Sequence, residues 1–85
     1  MELAIHHYPK MERCWLLKRV HGEHSQHAHF YTKEEALLCR KLIDQNKYPR
    51  EKKYKYAAQR ILTEEEFKLL NKRPRYYNVQ KGTQR

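Results

Sequence analysis

Two Thr-x-x-Glu boxes, Thr32–Glu35 and Thr63–Glu66, stand 31 residues apart and punctuate this 85-residue chain. In such a box the threonine hydroxyl accepts from the amide three residues on, and the glutamate reaches back to the threonine's own amide. Both donors would otherwise be unpaired at a helix start, so each box predicts a helix directly after it. The surroundings echo as well: Phe30-Tyr-Thr-Lys-Glu-Glu-Ala-Leu-Leu38 aligns with Ile61-Leu-Thr-Glu-Glu-Glu-Phe-Lys-Leu69. Each reads as a strand end, a cap, acidic residues and an apolar helix face. The capping rule accounts for the match without duplication.

The first helix is expected from Lys33 to about Asn46, with Ala36, Leu38, Cys39, Leu42 and Ile43 in one stripe at helical spacing. Asn46 and Pro49 punctuate its end. The second is expected over about 64–72, with Phe67, Leu69 and Leu70 apolar and Pro74 as its stop. Leu62 and Phe67 occupy hydrophobic-staple positions, and Glu64, Glu65 and Glu66 suit the positive end of the helix dipole.

Upstream of the first box the pattern has a period of two. Residues 2–8 alternate, with Leu3 and Ile5 on one side and Ala4, His6 and Tyr8 on the other, before Pro9 ends the strand. Residues 14–20 and 27–31 read as a β-hairpin around the polar turn His21-Gly-Glu-His-Ser-Gln26. Two facings are open. Leu16 and Val20 can join Ala28 and Phe30 against the helices, which leaves Trp15, Arg19, His21, His27, His29 and Tyr31 as an outer aromatic, cationic face. The reverse puts Trp15 and Leu17 in the core, where a lone tryptophan usually belongs. The first facing is the one expected here. Tyr56 to Leu62 is read as a further strand because Ile61 and Leu62 look like a strand end, although Ala57-Ala58 permits helix. The order is then β-β-β-α-β-α.

These elements predict a small single α+β domain: an antiparallel sheet of three to four strands packed on one face by two helices. The domain covers residues 1–74, and 75–85 form a basic tail in which Arg75 to Val79 could add an edge strand. A chain this short buries a limited fraction of its surface. Its hydrophobic content of 39% lies above the range of disordered chains.

The net charge is +9, unevenly placed. Residues 1–46 hold seven Lys/Arg against six Asp/Glu, and residues 47–85 hold twelve against four. The second half therefore carries +8. That imbalance points to a polyanionic partner. No segment reaches the length of a membrane span, and the first residues lack the pattern of a signal peptide. Cys14 and Cys39 have no CxxC spacing and read as reduced thiols. A cytoplasmic, intracellular protein is expected.

The stretch Lys47-Tyr-Pro-Arg-Glu-Lys-Lys-Tyr-Lys-Tyr56 interleaves five basic residues with three tyrosines. Lysine and arginine attract phosphate, and exposed aromatic faces accept stacked bases. The candidate contacts are Arg50, Lys52, Lys53, Tyr54, Lys55, Tyr56 and Arg60, then Lys72, Arg73, Arg75, Tyr76 and Tyr77. Arg19, His27 and His29 join them from the hairpin. In an extended chain Lys53 and Lys55 would share one side, and Tyr54 and Tyr56 the other.

Other chemistries have less behind them. His21, His24, His27 and His29 with Cys14 suggest a metal cluster, but no pair has a familiar ligand spacing, so neither metal nor cofactor is expected. There is no glycine-rich phosphate loop, with Gly22 and Gly82 the chain's two glycines, and no nucleophile elbow. A histidine ribonuclease is conceivable from two sheet histidines beside Lys18 or Arg19. The reading is of a non-enzymatic, largely sequence-independent binder of DNA or RNA. The alternative is an accessory subunit docked on a larger nucleic-acid-processing enzyme.

Overall fold

The computed structural model describes residues 1–72. Three strands, β1 (Leu3–His7), β2 (Trp15–Arg19) and β3 (His27–Phe30), are followed by three helices, α1 (Lys33–Asp44), α2 (Lys52–Ile61) and α3 (Glu64–Lys72). The strands form one antiparallel sheet in the order β1-β2-β3. The expected α+β architecture holds, with a third helix in place of a fourth strand. The tail and its suggested edge strand lie outside the described residues.

Register decides which way the hairpin faces. Trp15 pairs with Phe30, and Leu17 pairs with both Ala28 and Ile5. Directly opposed residues point to the same face of a sheet. Leu3, Ile5, Trp15, Leu17, Ala28 and Phe30 therefore share the helix-packed face. This is the reverse of the facing favoured from sequence, in which Leu16 and Val20 joined Ala28 and Phe30. Leu17 is fully buried and Val20 is exposed. Arg19 also turns toward the helices. The outer face carries Ala4, His6, Leu16, Lys18, His27 and His29, so its histidines lie where expected while its tryptophan and arginine do not.

Both capping boxes form. Thr32 Oγ1 accepts from the Glu35 amide at 3.1 Å, and Glu35 Oε1 accepts from the Thr32 amide at 3.2 Å. The corresponding distances for Thr63 and Glu66 are 3.1 and 2.8 Å. The far end of α1 closes on Asn46, which adopts φ 55°. The Asn46 amide donates to Ile43 O and the Lys47 amide to Leu42 O, the paired bonds of a Schellman turn.

The segment expected as a strand from Tyr56 to Leu62 is helical. Tyr54, Ala57, Ala58 and Ile61 are all buried, and their spacing of 3, 4 and 7 makes one helical stripe. Tyr54 and its preceding lysines form the first turn of this helix rather than a lead-in to a strand. The core they join also contains Ala36, Cys39, Leu42 and Ile43 from α1 and Leu62 and Leu70 around α3. Fully burying a side chain such as Leu17, Leu42 or Ile61 contributes about 1.5–3 kcal/mol each. Burial also pushes the Cys39 thiol up to about 12.

Candidate nucleic-acid interface

Because Tyr54, Ala57, Ala58 and Ile61 turn inward, the rest of α2 is fixed in direction. Lys52, Tyr56 and Arg60 recur at intervals of four and form a second stripe away from the core. Lys53 and Ala57 lie between that stripe and the sheet. All five line a groove of about 620 Å³ between α2 and β3. The other side is built from Arg13 in the β1–β2 loop and from Ala28, His29, Phe30 and Tyr31, with Glu35 also in the lining.

Cations dominate this groove. Lys53 Nζ is 2.8 Å from Glu35 Oε2 and is neutralised by it. The Lys53 hydrogen bond holds the Glu35 carboxyl below its ordinary value, against the effect of burial. Arg13, Lys52 and Arg60 form no ion pair among the described residues. The Arg13 guanidinium lies 5.2 Å from the Tyr31 ring centroid. Tyr31 and Tyr56 are 52% and 62% exposed, with Tyr56 the most exposed large apolar side chain among the described residues. His29 is held below its ordinary value first by burial, then by His27, Arg60 and Arg13, with the Arg13 backbone acting in the opposite direction.

The outer edge of β3 is partly closed. Arg60 Nε donates to His27 O at 3.2 Å, and the Tyr31 amide donates to Glu35 Oε1 at 3.1 Å. Side chains thus occupy backbone groups that an incoming strand would need.

The sequence-derived candidates separate into several places. Lys52, Lys53, Tyr56, Arg60 and His29 meet in the groove. Lys55 sits on the other flank of α2, its Nζ 5.5 Å from the Tyr48 ring, because residues two apart on a helix diverge. Lys53 and Lys55 therefore do not share a side as an extended chain would have them. Tyr54 is a core residue, 4% exposed, its ring 6.1 Å from Phe30. Arg19 is engaged with Glu66 and not presented on an outer face. Arg50 is exposed just before α2, and Lys72 ends α3. Arg73, Arg75, Tyr76 and Tyr77 lie outside the described residues.

Sequence reasoning misses Arg13 and Tyr31 as contacts. Tyr31 is visible as an aromatic flank of β3. Nothing local marks Arg13, which reaches the groove only because the β1–β2 loop folds past the end of β3.

The histidines do not converge on a metal geometry. The His27 and His29 rings meet edge to face at 5.1 Å, and His27 Nδ1 is 2.8 Å from His24 O. Among the described residues no group of three or more His, Cys, Asp or Glu side chains could hold an ion. No helix among them is long and apolar enough to cross a membrane. A second cleft, about 490 Å³, lies between α1 and α3 and includes Met1, Ile43, Leu62, Leu69 and Leu70.

The chain matches no family model, and no match was found among curated proteins or solved structures.

Proposed function

We propose that this domain binds nucleic acid, largely independently of sequence, through the groove between α2 and β3. The observation that carries the reading is the alternation of Lys52, Tyr56 and Arg60 along one face of α2, opposite Arg13 and Tyr31. Three cations without a carboxylate partner supply attraction to phosphate, and two exposed rings supply sequence-tolerant contact.

Salt titration tests the proposal. Each cation that touches phosphate adds about one unit to the slope of log affinity against log salt. Lys52→Ala with Arg60→Ala should reduce that slope by about two units and weaken binding to every sequence alike. Unchanged affinity and slope in that double variant would remove the groove from the mechanism.

Docking on a larger nucleic-acid-processing protein is the second reading. It draws on the cleft between α1 and α3 beside Leu69, which is 54% exposed. Salt-insensitive association with such a protein, without affinity for DNA or RNA at low salt, would favour it.

A further inference from the structure

Tyr56 stands on α2 between two cations, Lys52 one turn before it and Arg60 one turn after. The three positions span about 12 Å along the helix at about 1.5 Å per residue. A large ring at 62% exposure contributes little to the core, and its partner across the groove, Tyr31, is nearly as open. The Arg13 guanidinium lies 5.2 Å from the Tyr31 ring centroid and sets a cation beside that ring. Two planar surfaces flanked by cations without carboxylate partners thus face one recess.

Resting on the nucleic-acid reading of this groove, we propose that the recess takes single-stranded nucleic acid, an unpaired base stacking on Tyr56 or Tyr31 and its flanking phosphates held by Lys52, Arg60 and Arg13. A duplex hides its base faces within its own stack, so it gains from the cations but not from the rings. The groove also has the size of a small-ligand site, which suits a nucleotide or two; a double helix would rest on its rim. A peptide strand is disfavoured as the occupant because Arg60 and Glu35 already engage His27 O and the Tyr31 amide at this edge.

The test uses the full chain and three fluorescent probes: an oligothymidylate, an oligouridylate and a mixed-sequence duplex of the same length. Tyr56→Ala should weaken single-strand binding about ten-fold while leaving duplex binding and the salt slope unchanged. Tyr31→Ala should act in the same direction. Tyr56→Phe should retain affinity, and Tyr56→Leu, which keeps bulk but not the ring, should behave like Tyr56→Ala. Circular dichroism should show all four variants folded, since both rings are exposed. Equal weakening on single strand and duplex would overturn the single-strand assignment. So would full affinity in the Tyr31→Ala/Tyr56→Ala double variant. Either result leaves the broader reading intact if the Lys52/Arg60 salt slope still falls. Absence of binding to all three probes at low salt would overturn both.

Discussion

Arg19 on β2 grips Glu66 on α3 with two nitrogens, Nη1 2.6 Å from Oε1 and Nη2 3.2 Å from Oε2. The same carboxylate completes the capping box with Thr63, so one side chain both starts α3 and ties it to the sheet. Arg19→Ala should cost about 1–2 kcal/mol, the range of a charge-assisted pair discounted for partial exposure. Glu66→Ala should cost more, because the capping bond goes too, by about another 1 kcal/mol. Denaturant unfolding of the singles and the double gives the coupling between them.

Gly22 sits under this contact. A methyl group built there would lie 2.7 Å from Arg19 Cβ and 2.7 Å from Gln26 Oε1. Gln26 Oε1 already accepts from the Glu23 amide at 2.7 Å and its Nε2 donates to Ile61 O at 3.0 Å, and the Arg19 Cβ is fixed by the strand. Gly22→Ala should therefore displace Arg19 and lower the melting temperature, whereas His21→Ala beside it should have a smaller effect. Equal melting temperatures for Gly22→Ala and the wild type would show that the loop relaxes freely.

Asn46 holds the left-handed conformation that ends α1. Asparagine tolerates it better than residues with a bare or branched Cβ. Asn46→Ala should destabilise by about 1 kcal/mol, and Asn46→Gly should be neutral or slightly stabilising. The order of the three melting temperatures checks this.

Acid should cost stability in two stages with the same sign. His29 is held below its ordinary value by burial and neighbouring positive charge, so the unfolded chain takes up its proton first. That destabilisation begins as pH falls through about 6.5 and levels off below the folded value. Burial alone would raise Glu66, but the Arg19 and Thr63 contacts outweigh it, and Glu35 is lowered chiefly by Lys53. Their contributions are present above the ordinary carboxyl range, about 4.3, and fall away as pH drops through the lowered folded values. Melting temperatures measured from neutral to acid pH should show both stages, with His29→Gln removing the first.

Lys55 provides a contrast with Lys52. It lies on the flank of α2 away from the groove and beside Tyr48. Lys55→Ala should leave nucleic-acid affinity within about two-fold of wild type, while Lys52→Ala lowers it and flattens the salt slope by about one unit. Anisotropy titrations at two salt concentrations separate these outcomes.

Short-range chemistry is the legible part of this chain. Thr32–Glu35, Thr63–Glu66 and Asn46 act through neighbours within a few residues, so spacing alone places the ends of α1 and the start of α3. The strands are visible from alternation, but their facing is not. It turns on whether Leu16 or Leu17 sits opposite Ala28, a one-residue matter of register that reverses every side chain. The α2 segment reads as a strand only when Ile61-Leu62 outweighs the spacing of Tyr54, Ala57, Ala58 and Ile61, which is helical throughout. The difference carries into the site, since Tyr54 and Lys55 leave the groove once the segment coils. Arg13 joins it through a contact between distant parts of the chain that no local pattern records.

The burial of Cys39 gives the domain an internal clock. Its thiol is fully covered and held far from the thiolate that reacts with alkylating or disulfide reagents. Modification at this sulfur must wait for the helix–sheet contact to open, so its rate counts openings of the core. Cys14, only partly covered, is the second free thiol against which that rate can be read.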